Sequence, residues 1–172
     1  VGVEFPVSRV GGLDFAFEGF DLNNGGTAQN LGIEFSFERS LSQGYYVIAN
    51  GSVFDATYVA NDGIVRPSTY NAGVIANGIV GKEWKIGKKK GRANLLNVNI
   101  SGTYSGAQYY TGLDLPQSIE RGLYVGDYAN PNAFRQDPLV FLDASLVYQR
   151  NRPKTSTQLS LQIKNVLNQR PI

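Results

Sequence analysis

Apolar and polar positions alternate along much of the 172-residue chain, with a period of two rather than the period of a helix. From Leu31 to Glu38, every odd residue is Leu, Ile or Phe, and every even residue is Gly, Glu or Ser. A period of two places the two sets on opposite faces of a β-strand. Similar alternation predicts strands near residues 28–40, 44–58, 70–86, 93–108, 138–150 and 155–166, each antiparallel to its sequence neighbours.

The segments between the predicted strands alternate in length. Short turns are expected between Arg39 and Gly44, at 87–91 and at 151–154, whereas longer loops run through 58–70 and 109–138. Outer-membrane barrels have short turns on the periplasmic side and longer loops outside. The expected fold class is therefore all-β, with antiparallel up-and-down strands that form part of a transmembrane outer-membrane β-barrel. No apolar run of about 18 residues is needed for this, because a spanning strand takes about 9–11 residues.

The alternation also assigns side chains to faces. The residues expected to point outward, to lipid, are Leu31, Ile33, Phe35, Val98, Ile100, Leu142, Leu146, Leu159 and Leu161. The candidate lumen-facing residues are Glu34, Asn97, Asn99, Asp143, Ser145 and Gln162, together with Ser160. Aromatic residues near the predicted strand ends could form girdles at the two membrane interfaces, although aromatics also simply favour strands. These aromatics are Tyr45, Tyr46, Tyr58, Tyr70, Trp84, Tyr104 and Tyr148.

Composition removes most catalytic classes. The chain has no Cys, no Met and no His, so disulfide frameworks, zinc knuckles, thiol nucleophiles and Ser-His-Asp triads are excluded. We predict no enzyme activity, no catalytic residue, no metal site and no cofactor. The net charge of +2 does not indicate a nucleic-acid partner.

Two local motifs are weak. Lys88–Lys90 with Arg92 is expected to be a solvated turn, and Asp21–Gly26 resembles the start of a calcium loop whose twelfth position is Gly32 instead of an acid. The missing Met and the absence of a signal segment predict a processed product or a piece of a longer protein.

The long loop between Tyr109 and Asp137 is the best candidate for ligand recognition, because loops on a rigid scaffold often carry binding residues. Its aromatic faces could stack on a ligand and its guanidinium groups could pair with anionic groups. The candidate ligand-binding residues are Tyr109, Tyr110, Arg121, Tyr124, Tyr128 and Arg135. The alternative for each of them is packing against neighbouring loop residues.

A series of short motifs runs through most of the chain. In order, they lie at Asn30–Glu34, Glu38–Tyr46, Gly51–Tyr58, Asn77–Trp84, Thr111–Leu115, Leu142–Asp143 and Ile163–Asn168. In order and spacing they resemble consecutive strands near the C-terminal end of TonB-dependent outer-membrane receptors, those of the Bacteroidota above all. The resemblance covers about residues 25–170.

The resemblance implies a barrel of about 22 strands around an N-terminal plug. Residues 1–172 would then be a partial C-terminal segment of six or seven strands, without the plug, the first strands or the last strand. The implied function is active uptake of a scarce nutrient across the bacterial cell outer membrane, energised through TonB. The implied partners are outer-membrane lipid, the rest of the barrel and plug, the TonB complex acting through the plug, a surface lipoprotein as a further candidate, and a small-molecule, glycan or peptide ligand.

Two alternatives stay open at this point. One is a small self-contained outer-membrane barrel with a structural or adhesion role, which needs an even number of at least about eight strands. The other is a soluble carbohydrate-binding β-sandwich. A sandwich would bury the Leu-rich face against a second sheet, whereas a membrane barrel would leave that face to lipid.

Overall fold

The computed structural model describes residues 25–87 and 94–170 of the chain. Within them lie nine strands and one helix: β1 (Thr27–Ser42), β2 (Tyr45–Val59), β3 (Val65–Pro67), β4 (Val74–Ile86), β5 (Asn94–Ser105), β6 (Tyr109–Tyr110), α1 (Leu115–Arg121), β7 (Phe134–Arg135), β8 (Leu139–Asn151) and β9 (Ser156–Ile163). The basic run Lys88–Lys90 with Arg92 falls outside the described residues, as does most of the Asp21–Gly26 motif.

Six long strands form one antiparallel sheet in the order β1-β2-β4-β5-β8-β9, with the short β3 added beside β2. Each long strand pairs with the long strand before and after it in sequence, which confirms the predicted strands and their antiparallel order. The protein is therefore all-β. This sheet is open, with β1 and β9 as its two edges in the part of the chain that the structure describes.

Cross-strand pairing carries a single apolar face through the sheet. Ile33 of β1 lies opposite Val53 of β2, which in turn lies opposite Val74 of β4. In the second half of the sheet, Leu146 of β8 pairs with Val98 of β5 and with Leu161 of β9. All nine residues predicted for the apolar face share it, because directly paired residues point to the same side.

The apolar face is not covered by any described part of the chain. Ile33 is 78% exposed and Leu159 is 72% exposed, and most of their large apolar neighbours on this face are also exposed. Among the described residues the only buried hydrophobic side chain is Ala72. The sheet thus has the alternation of a folded β-protein without the hydrophobic core that normally stabilises one.

The connections between strands differ in length at the two ends of the sheet. Gln43–Gly44 and 152–155 form tight turns at one end, where β4 also ends and β5 begins. The longer connections 60–73 and 106–138 lie at the other end. The predicted alternation of short turns and long loops is confirmed for the connections that the structure describes, and the turn predicted at 87–91 lies almost wholly outside them.

The long loop contains a helix that the alternation did not predict. The Asp114 carboxylate accepts a hydrogen bond from the Gln117 amide, and Pro116 occupies the first turn. Gly122 ends the helix with a φ of 65°, a left-handed conformation that glycine adopts without strain. Within residues 25–87 and 94–170, no helix is both long and apolar enough to cross a membrane.

The segment after β9 extends the pairing of β8. The Val166 amide donates to the Leu142 carbonyl at 2.7 Å, beyond the last residue of β9. The side-chain amide of Gln169 then acts like a peptide group, since it accepts from the Val140 amide and donates to the Pro138 carbonyl at 2.9 Å. These bonds satisfy backbone groups of β8 that would otherwise form an open edge.

One glycine in the sheet is required by a neighbouring ring. A Cβ at Gly81 would overlap the Tyr46 ring and the side-chain oxygen of Asn99, whereas a Cβ at Gly78 would meet its nearest atom, the Ile48 carbonyl oxygen, at 3.7 Å. We expect Gly81→Ala to displace Tyr46 and to lower the free energy of unfolding by about 1–3 kcal/mol through overpacking. Gly78→Ala is the matched control and should change it by less than about 0.5 kcal/mol. Denaturant titration of both variants tests this, and equal stabilities would contradict it.

Candidate functional site

Side chains from three strands form a hydrogen-bonded row on the polar face. The Tyr46 hydroxyl of β2 donates a hydrogen bond to the side-chain oxygen of Asn99 on β5. The side-chain amide of Asn99 in turn donates to the Ser145 hydroxyl of β8 at 3.1 Å. Gln162 of β9 lies directly opposite Ser145 in the ladder. The row crosses β4 at Gly81, which leaves room for the Tyr46 ring. Of the predicted lumen-facing residues, Asn99, Ser145 and Gln162 are therefore brought together.

A second polar area lies toward β1. The Asn77 amide donates to the Asn50 side-chain oxygen at 3.3 Å. A shallow depression of about 390 Å³ is lined by Glu34, Phe35, Ser36, Asn50, Gly51, Ser52, Ile75 and Asn77. Glu34 belongs to this depression and lies opposite Ser52, which is well removed along β2 from Tyr46, so the depression and the Tyr46 row are separated along the strands.

Of the other three predicted residues of the polar face, Ser160 lies opposite Val147 in the ladder, and the remaining two have different local roles. Asp143 accepts hydrogen bonds from the Asn165 amide at 2.8 Å and from Lys164 Nζ at 3.1 Å, so it anchors the segment that follows β9. Asn97 has a buried side-chain oxygen that finds no hydrogen-bond partner within residues 25–87 and 94–170. An unpaired buried acceptor costs about 1–3 kcal/mol, so this oxygen favours a donor from water or a ligand.

The aromatic residues considered for a girdle are distributed over both faces of the sheet and a loop. Tyr46 and Tyr58 lie on the polar face, because they pair with Gly81 and Ala28, and Tyr70 lies in a loop. The members on the apolar face are Tyr45, Trp84, Tyr104 and Tyr148. Adjacent residues of a strand point to opposite faces, so Tyr45 and Tyr46 could not both face outward.

The two long loops lie at the same end of the sheet, as predicted, and are joined to each other by hydrogen bonds. The Tyr109 amide donates to the Thr69 carbonyl at 3.2 Å. Asn132, which is 9% exposed, donates to the Pro67 carbonyl at 2.9 Å and bonds the hydroxyls of Thr69 and Thr111. This one buried side chain joins three segments at the loop end.

An ion pair orders the tip of the first loop. Arg66 contacts both carboxylate oxygens of Asp62, at 2.6 and 2.9 Å. The Arg66 hydrogen bond, followed by one from the Ile64 amide, lowers the pKa of Asp62 to about 2. The pair therefore stays charged at every pH above that range.

Four aromatic rings gather on the second loop, and we call Tyr110, Tyr124, Tyr128 and Phe134 the loop cluster. The Tyr110 and Phe134 rings stack with centroids 5.6 Å apart beside Gly112. The Tyr124 hydroxyl donates to the Thr111 carbonyl at 3.2 Å, and the Tyr128 ring lies against Gly126. All four side chains are between 42% and 65% exposed, so the cluster offers apolar faces to a ligand.

The other predicted ligand-binding residues have more local surroundings. The Arg135 guanidinium lies 4.9 Å from the Tyr109 ring centroid and donates to the Ala107 carbonyl at 3.3 Å, so the pair stabilises the loop. Arg121 is exposed in the last turn of α1. Phe134 was not among the predicted residues, although it is an aromatic residue of the same loop, next to the predicted Arg135.

No group of three or more His, Cys, Asp or Glu side chains that could hold a metal ion occurs within residues 25–87 and 94–170. Comparison with protein-family models, with curated proteins and with solved structures found no significant match.

The role of Asn132 in joining the loops can be tested directly. We expect Asn132→Ala to free the second loop, because three hydrogen-bonded groups lose their partner, and to cost about 1–3 kcal/mol locally. Limited proteolysis should then cut within 106–138 faster than in the unmodified protein. Asn130→Ala, at an exposed neighbouring position, is the control. Equal cleavage rates for the two variants would show that Asn132 does not hold the loop.

Proposed function

We propose that this chain forms part of the wall of an outer-membrane β-barrel that belongs to a TonB-dependent transporter. The observation that carries the proposal is the exposed apolar face, which runs across six strands while the opposite face holds a row of hydrogen-bonded amides and hydroxyls. Exposed apolar patches larger than a few hundred Å² are rare on soluble monomers and mark surfaces that meet lipid or protein.

Strand length supports a membrane-spanning arrangement. β1 and β2 have 16 and 15 residues, and β4, β5 and β8 have 13, 12 and 13. A tilted strand crosses the hydrocarbon layer in about 9–11 residues. The five strands can therefore span a bilayer with residues to spare at each interface.

The loops give the proposed orientation. Short turns of an outer-membrane barrel face the periplasm and long loops face the outside. In that orientation the loop cluster would meet ligands first, and the row from Tyr46 to Ser145 would line the lumen. No covalent chemistry is needed: the loops and the plug would bind a nutrient, and the TonB complex would move the plug to release it inward.

The open edges bear on the choice between a larger and a smaller barrel. β1 and β9 are not paired with each other in the described sheet, and strands in a membrane must satisfy all their backbone groups. The proposal therefore includes further strands at both edges. Disulfide cross-linking of single cysteines in β1 and β9 would test this, and an efficient β1–β9 bond within one chain would favour the small barrel.

A charge on the proposed lipid face should be costly. We expect Leu161→Arg to lower the stability of the membrane-inserted protein by about 2–4 kcal/mol, the usual cost of Arg near the bilayer midplane. Gln162→Arg is the control, because the neighbouring residue points to the opposite face. Folding into liposomes, followed by denaturant titration, measures both. A similar loss for the two variants would argue against a lipid-facing Leu161, and a protein that stays soluble without detergent would favour a sandwich.

The loop cluster should matter for capture. A deletion strain is first screened on ferric chelates, oligosaccharides and peptides to find the nutrient that it no longer takes up. We then expect Tyr110→Ala with Tyr128→Ala to reduce uptake of that nutrient by roughly 5–100-fold, since each stacking contact contributes about 0.5–1.5 kcal/mol.

Surface levels must be matched, and Tyr104→Ala removes an equally accessible ring from the apolar face as a control. Uptake at the unmodified rate in the double variant would restrict the loop cluster to a packing role.

A further inference from the structure

The three hairpins of the sheet share a feature at their turn end. On the apolar face, each hairpin carries one cation and one aromatic residue within a few positions of its turn. The pairs are Arg39 with Tyr45, Lys82 with Trp84, and Arg150 with Tyr148. The alternation of apolar and polar residues does not require cations here, since the rest of this face is almost uncharged.

The middle pair shows how such a cation is held. Lys82 Nζ lies 4.3 Å from the Tyr45 ring centroid and 5.0 Å from the Trp84 ring centroid, and it donates to the Tyr45 hydroxyl. Two aromatic rings thus fix the ammonium group at the margin of the apolar face. Arg39 and Arg150 are both exposed in the flanking hairpins.

Negative charge is kept away from this margin. The carboxylates of Glu34, Glu38, Glu83 and Asp143 all lie on the polar face, as their cross-strand partners show. The one acidic strand residue on the apolar face in the described ranges is Asp55. It lies at the loop end, where its carboxylate accepts a hydrogen bond from the side-chain amide of Asn71 at 2.7 Å. Among the described strand residues, the turn end of the apolar face therefore has three cations and no carboxylate.

We infer that Arg39, Lys82 and Arg150 bind the phosphate groups of anionic phospholipids in the leaflet that meets the turn end. We call these three residues the basic margin. The inference rests on the proposed membrane function. Long cationic side chains at the edge of an apolar surface extend their charge to the headgroup level, and Arg can bind phosphate through two parallel hydrogen bonds. The loop end of the same face has no cation among its described strand residues, so the binding is specific to one leaflet.

Trp84 provides the measurement, because it is the only tryptophan in the 172 residues and lies beside Lys82. The protein in neutral detergent micelles is titrated with phosphatidylglycerol, and with phosphatidylcholine as the uncharged reference. We expect a saturable change of Trp84 emission with phosphatidylglycerol only, weakened by 1 M salt.

Charge removal then tests the basic margin. Arg39→Gln, Lys82→Gln and Arg150→Gln together should weaken phosphatidylglycerol binding by about 100-fold, and Arg150→Gln alone by about fivefold. Lys85→Gln is the matched control, because it removes a cation near the same turn but on the polar face, opposite Leu95. The single variant keeps the test usable if the triple variant does not fold.

Two outcomes would overturn the inference in distinguishable ways. Variants that enter lipid bilayers normally but bind phosphatidylglycerol like the unmodified protein would refute the basic margin and leave the proposed function intact. An unmodified protein that fails to enter bilayers at all would refute both.

Discussion

The constraint on which this structure depends is the exposure of a whole apolar sheet face. Burying one Leu, Ile or Phe side chain away from water contributes about 1.5–3 kcal/mol, and the described residues bury only Ala72 among their hydrophobic side chains. A six-stranded sheet cannot offset its conformational entropy in this state by backbone hydrogen bonds alone. Its apolar face therefore requires an apolar environment. Lipid would cover the apolar side chains of all six strands at once.

The polar face and the loops follow from the same alternation. The period of two that puts Leu and Ile on the apolar face puts Asn, Ser and Tyr46 on the polar face, where the row to Ser145 satisfies polar groups across three strands. Gly81 makes this possible by leaving space for a ring. At the loop end, few apolar residues are buried among the described residues. The hydrogen bonds of Asn132 take over part of the stabilising role of a hydrophobic core there, and they hold the loop that carries the loop cluster.

The sequence predicted the sheet well because period-two alternation is local and cross-strand register preserves it. Leu146 and Leu161, for example, could be placed on one face before their pairing was known. It predicted where the long loops lie but not their internal structure. Helix α1 depends on the Asp114 cap and on Gly122. Both are visible in the sequence, but the many turn-forming residues around them indicated an irregular loop. The role of Asn132 depends on contacts with residues 21 and 63–65 positions away, which no local pattern encodes.

The surroundings of the predicted ligand-binding residues differ for a similar reason. Tyr110, Tyr124 and Tyr128 are all exposed on the second loop, but the guanidinium of Arg135 is engaged by Tyr109 and a backbone carbonyl. Sequence identifies which residues have suitable chemistry, and only the fold decides which remain free to use it. The same holds for Asp143, a predicted lumen residue whose carboxylate anchors the segment after β9.

The most direct test of the account is a spin-label scan along β1. The chain has no cysteine, so single cysteines can be placed one at a time from position 31 to position 37 in the protein reconstituted into liposomes. The account predicts high collision rates with oxygen at 31, 33, 35 and 37, where Leu, Ile and Phe now lie, and with a water-soluble nickel chelate at 32, 34 and 36. Low accessibility to both reagents at the odd positions, or equal accessibility to the nickel chelate throughout, would contradict it.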